Sequence, residues 1–280
     1  SMTNGHADII TYLSGNTYSH PGQNIGIVDG ELEIRKVIRT VIRDGADWVK
    51  VCTSHRTETP EYTIEELRAA VDESHRLGKK CAVHAGIEPG ISMSIEAGFD
   101  TIEHGTFLTV EQAEKMKEHG QVWVPTIIAY TYAYEMVKKE IEASGKINSA
   151  VLAKGMGRVK YFEDAAFAYR DNFKKLYDTG VKIVAGTDVV VYGAPPAPVA
   201  LELAYMVQYG ITPVQAIQIG TSNSAEVLEM DHQIGMIREG LQADICICNG
   251  NAAEDIQKLQ QVREVYLGGK SVFLERKAYL

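Results

Sequence analysis

The sequence predicts an α/β chain built as a (β/α)₈, TIM-like barrel, with part of a small β-domain at its C-terminal end. Three observations point there. Short apolar, strand-like runs alternate with helix-length amphipathic segments from Gly30 onward, the pattern of a parallel sheet with helical crossovers. No GxGxxG or P-loop glycine pattern follows any of these strands, which favours a closed barrel over an open nucleotide-binding sheet. Lys50, His84, His104 and Asp188 each stand in, or at the C-terminal end of, a different predicted strand, and in a barrel those ends converge on one mouth.

The elements follow in order. Leu32, Val37, Ile38 and Val41 lie at helical spacing within Glu31 to Arg43, Asp44-Gly45 ends that helix, and Trp48 to Cys52 reads as a buried strand. Thr63 with Glu66 is a capping box that opens a helix running to Leu77, followed by the strand Cys81 to His84. A short helix over Ser92 to Ala97 stops at Gly98, before the strand Thr101 to His104. Thr109 to His119 is again a capped helix, and Val122 to Pro125 a strand. The stretch from Ile127 to Tyr177 lacks a strand pattern and suits two helices parted near Ser144-Gly145. Lys182 to Asp188 reads as a strand delivering a carboxylate, and helices follow over Val199 to Gln208 and from Pro213 to Gly220. Ala243 to Cys248 and Val262 to Phe273 read as strands, the second interrupted at Gly268-Gly269. The expected division is a barrel portion over 1–232 and the C-terminal half of a small β-domain over 233–280.

Composition narrows the function classes. With 45% hydrophobic and 23% charged residues, the 280-residue chain has the balance of a folded globular protein. A net charge of -9 without a basic run argues against nucleic acid or an anionic membrane as partner and leaves small molecules. No run of about 18 apolar residues predicts a membrane span. Cys52, Cys81, Cys246 and Cys248 all fall in apolar strand-like runs, so Cys246-Ile247-Cys248 is expected to be two buried thiols, and a reducing, cytoplasmic setting follows.

A single strand histidine is more often a hydrogen-bonded core residue, a lone lysine can extend out of a sheet, and an aspartate after Gly186-Thr187 can cap a loop. Four such residues converging inside one barrel are costly without a shared purpose, and a metal ion supplies one.

The strings Asp44-Gly45-Ala46-Asp47-Trp48-Val49-Lys50-Val51, Val83-His84-Ala85, Thr101-Ile102-Glu103-His104-Gly105-Thr106, Val124-Pro125-Thr126 and Ala185-Gly186-Thr187-Asp188 resemble the amidohydrolase superfamily. Within it they are most similar to the imidazolonepropionase-like branch, which holds Xaa-Pro dipeptidases and zinc carboxypeptidases. Thr221 to Ala225, Ile234-Gly235 and Gly240 to Asp244 extend the likeness over nearly the whole chain. The resemblance implies that Lys50, carboxylated on its amine, bridges two zinc ions, and that His84 and His104 bind the more exposed one. It further implies that Asp188 binds the buried ion and shuttles a proton, and that His6 lies near the substrate. The implied reaction is hydrolysis of an amide bond in a dipeptide or N-acyl amino acid.

Three departures accompany it. The family's first strand carries HxH, and this chain has none. Its first residues match the end of the family's third strand, so an N-terminal segment is expected to be missing, with the exposed edges completed by a separate fragment or by a homo-oligomeric partner. Gly86 and the Tyr192-Gly193-Ala194 stretch stand where histidines are common. A one-metal enzyme using Lys50, His84 and His104, or a catalytically impaired remnant acting as a binding or assembly module, are the alternatives.

Overall fold

The computed structural model describes residues 2–3, 26–54, 59–144, 156–188 and 197–274. His6 and Tyr192 to Ala194 lie outside the described residues. The chain forms two compact units, Ser1–Pro125 with Lys175–Lys182, and Thr126–Lys174 with Ile183–Leu280.

The first unit is a parallel sheet with helical crossovers. Its elements are β1 (Met2–Thr3), β2 (Gly26–Ile27), α1 (Glu31–Arg43), β3 (Trp48–Ser54), α2 (Ile64–Arg76), β4 (Lys80–Ala85), α3 (Gly90–Ala97), β5 (Thr101–His104), α4 (Val110–Glu118) and β6 (Val122–Val124). The strands lie in the order β2-β1-β3-β4-β5-β6, and β7 (Lys182–Ile183), which starts within this unit, follows β6. Pairing is parallel throughout β3 to β6, so their C-terminal ends share one rim. The two-residue strand β2 is too short to show a hydrophobic period in the sequence.

Local chemistry accounts for the boundaries. Thr63 and Thr109 accept the backbone N–H groups of Glu66 and Gln112, whose side chains bond back to the cap amides. Gly98 takes the left-handed conformation that closes α3. Val49, Val51, Val83, Ile102 and Trp123 are buried along the sheet, and Ile34, Ile38 and Leu67 are buried on α1 and α2. At this seam Glu73, only 1% exposed, receives Arg39 Nε at 2.7 Å and also pairs with Arg35 and Arg76. Three guanidinium groups on one buried carboxylate hold it ionised, at a pKa of about 2.

The second unit contains α5 (Ile127–Ser144), most of α6 (Met156–Asp178), α7 (Pro198–Gln208), α8 (Pro213–Gln218), a π-helical turn (Ile219–Asn223) and α9 (Ser224–Val227). A three-stranded antiparallel sheet, β10-β9-β8, is formed by β8 (Ile245–Cys248), β9 (Val262–Leu267) and β10 (Lys270–Leu274). The parallel strands and helices are those of part of a TIM-like barrel, and the antiparallel sheet is that of a small β-domain.

Two expectations are corrected. The seventh strand covers only Lys182–Ile183, and residues 184–188 carry no ladder. Ala, Gly and Asp are weak strand formers, and Asp188 has φ 39°, outside the extended region. Cys52 and Cys81 are buried as expected, but Cys246 is exposed and Cys248 only half-buried. Their strand β8 is an edge strand, so alternation along it did not carry both thiols into a core.

Candidate active site

The register of the parallel strands decides which polar residues share a face. Lys50 sits opposite Ala82 and Ala82 opposite Thr101; two residues on, Cys52 faces His84 and His84 faces Glu103. Because successive side chains alternate across a sheet, Lys50, His84 and Glu103 fall on the same face. His104, one position beyond Glu103, falls by parity on the opposite one.

Backbone geometry overrides that parity. His104 has φ 68°, an uncommon conformation for a residue with a Cβ, and the chain leaves the strand there. Its ring meets that of His84 edge-on, with centroids 4.4 Å apart and an interplanar angle of 62°. Both imidazoles are nearly enclosed, His84 8% and His104 3% exposed. Conformations of this kind persist only where surrounding bonds over-determine them. Here the Trp123 indole N–H donates to the His104 carbonyl at 2.8 Å, and the Gly105 N–H donates to the Ala85 carbonyl at 3.0 Å. Gly105 itself has φ 52°, and a Cβ on it would lie 2.8 Å from Trp123 Nε1, so glycine is required on both counts.

Lys50 pairs with Glu103, each side chain 28% exposed. The sequence gives Glu103 no mark of its own, since a carboxylate beside a histidine usually reads as strand-end solvation. The strand pairing supplies the mark: Glu103 lies directly opposite His84 and shares its face, whereas His104 lies opposite Ala85.

Asp188, in the second unit, is exposed. Left-handed non-glycine residues therefore follow three successive strands: His104 ends β5, Thr126 with φ 52° comes two residues after β6, and Asp188 with φ 39° comes five after β7. Such backbone concentrates at functional rims.

The donor set can be tested against a metal ion. His84 and His104 offer two adjacent, sheltered imidazoles, which suits a divalent transition metal. Among the described residues, no three His, Cys, Asp or Glu side chains gather closely enough to hold one. Lys50, on the same face as His84, is engaged by Glu103. His84 and His104 thus supply two of the donors such an ion needs, and the resemblance to the family implies Lys50 as a third.

A parallel sheet with helical crossovers and polar side chains gathered at its C-terminal rim defines a protein of the TIM-barrel class. Residues 9–272 match the amidohydrolase family, and the chain belongs to that family. It is 31% identical over 297 residues to ochratoxinase of Aspergillus niger, a match covering 96% of this chain and 58% of that protein. Imidazolonepropionase of Cutibacterium acnes is 24% identical, over 87% of this chain and 52% of the relative. A crystal structure of a Xaa-Pro dipeptidase with methionine bound in its active site matches with a TM-score of 0.79 at 31% identity, over 96% of this chain and 65% of that one. The chain thus spans less than two thirds of the length of these relatives, which fall within the imidazolonepropionase-like branch. No helix among the described residues is long and apolar enough to cross a membrane.

Proposed function

We propose that the chain is the site-bearing part of a metal-dependent hydrolase that cleaves an amide bond in a dipeptide or an N-acyl amino acid. The observation that carries this reading is the sheltered pair His84 and His104 at the rim of a parallel sheet, with Lys50 on the same face as His84. Kinship to proteins named ochratoxinase and Xaa-Pro dipeptidase supports the amide class.

His84, His104 and a carboxylated Lys50 would hold one zinc ion, and Asp188 would be a ligand of a second. When bound, such an ion supplies Lewis acidity, polarising a carbonyl and making water easier to deprotonate. Asp188 accepts a proton from water at its carboxylate and passes it to the nitrogen of the leaving amine. His84 and His104 are held rigidly, one by its place in β4 and the other by the Trp123 and Gly105 bonds, so little reorganisation accompanies binding. Glu103 pairs with the unmodified Lys50 amine on the face that carries His84, so carboxylation of Lys50 would displace that pairing. His6 is proposed as a substrate contact.

The test is a zinc-reconstituted chain assayed against Xaa-Pro dipeptides, other dipeptides and N-acyl amino acids, beside Lys50→Ala, His84→Ala and Asp188→Asn. Hydrolysis by the parent, reduced at least about 100-fold in each variant while the fold is retained, is the expected result. Unchanged hydrolysis in the variants would defeat the proposal.

A further inference from the structure

Glu202 lies one turn into α7 and is 0% exposed. Its carboxylate reaches the start of α5, where one oxygen accepts the Ile127 N–H at 2.9 Å and the other accepts the Ile128 N–H at 2.7 Å. The first N–H groups of a helix have no partner within the helix and carry the positive end of its dipole, so an anion there is stabilising. The chain enters this turn through Thr126 at φ 52°, a conformation a β-branched residue adopts only under outside restraint.

We propose that Glu202 is a proton-dependent clamp on the opening turn of α5, binding both amides when ionised and releasing one of them when it takes up a proton from solvent. The chemistry is set by geometry. Each oxygen already faces an N–H donor, so a proton placed on either oxygen makes it a poorer acceptor and sets an O–H beside that donor, and the bond weakens until the amide is released. Full burial, with no counter-cation among the described residues, pushes the carboxyl up to about 8, the two amides pulling the other way. The clamp therefore changes state near neutral to mildly alkaline pH.

The neighbouring titratable groups do not supply that charge. On α5, Glu135 accepts the Tyr205 hydroxyl at 3.0 Å, and Tyr132 lies near Tyr205. Tyr205 on α7 and Tyr209 just after it are held neutral by burial, and Arg170 of α6 acts on Tyr209. On the short 3-10 helix Ile256–Gln260, Lys258 is paired with Asp255 at 3.5 Å. α8 carries no titratable side chain. The inference does not depend on which reaction the chain performs.

The experiment follows the backbone amide signals of Ile127 and Ile128 by NMR on the full 280-residue chain, from about pH 6 to about pH 10, in the parent and in Glu202→Gln. Both signals are expected to titrate with one midpoint near 8 in the parent and to stay fixed in the variant. Thermal stability gives a second readout. A carboxyl whose folded value is raised retains its proton in the fold, so the parent loses stability relative to Glu202→Gln as pH rises from about 5 to about 8, then runs parallel to it. If the variant does not fold, carboxyl-carbon NMR of glutamate-labelled parent decides, with one glutamate titrating near 8. Amides that stay fixed in the parent, or no glutamate titrating above about pH 6, would overturn the clamp.

Discussion

The indole of Trp123 on β6 donates to the main-chain carbonyl of His104 at the end of β5, at 2.8 Å and out of solvent. A side chain on one strand thereby fixes the backbone of its neighbour at the one position where the neighbour leaves the extended conformation. Trp123→Phe keeps most of the apolar volume and removes the donor, leaving a buried carbonyl unsatisfied. A loss of about 1–3 kcal/mol in urea denaturation is expected, together with weaker zinc uptake. Unchanged zinc affinity would mean that the indole serves the core alone.

Gly105 tests the same turn from the other side. Gly105→Ala places a methyl group 2.8 Å from Trp123 Nε1 on backbone at φ 52°. Destabilisation of about 1–3 kcal/mol is expected from overpacking and left-handed strain together, measured as a fall in denaturation midpoint at constant slope.

Acid stability tests the seam between α1 and α2. Glu73 is held at about 2 by Arg39 and Arg76 first, and by Arg35. A carboxylate with a depressed folded value contributes its full stability above the ordinary carboxylate range, and that contribution is lost as pH falls from about 4.5 to about 2. The parent is expected to weaken over that window while Glu73→Gln, less stable at neutral pH by about 2 kcal/mol, varies less. Parallel acid limbs for the two proteins would contradict the assignment.

These residues also mark how far the sequence could be read. Hydrophobic periodicity and capping pairs such as Thr63 with Glu66 located the crossover helices and the strands β3 to β6, because those signals are local. Lys50 and His84 were legible for a similar reason, since each is a polar residue inside a short apolar run. The pairing of His104 with His84 was legible only as convergence of strand ends. Its cause, a left-handed residue pinned by a tryptophan 19 positions on, is not local. Glu103 and Glu202 were missed because each is defined by a partner on another element, Lys50 on β3 and the first amides of α5. The strand expected to end at Asp188 was overextended because apolar Ile183-Val184-Ala185 continues the pattern after the ladder has stopped.

The most direct measurement is X-ray anomalous scattering at the zinc edge from crystals of the 280-residue chain grown with zinc and bicarbonate. A peak at about 2.0–2.1 Å from one nitrogen of His84 and one of His104, with added density on the Lys50 amine, is the expected result. Zinc bound elsewhere, or a His84 and His104 pair that stays bare at saturating metal, would contradict a metal centre at this rim.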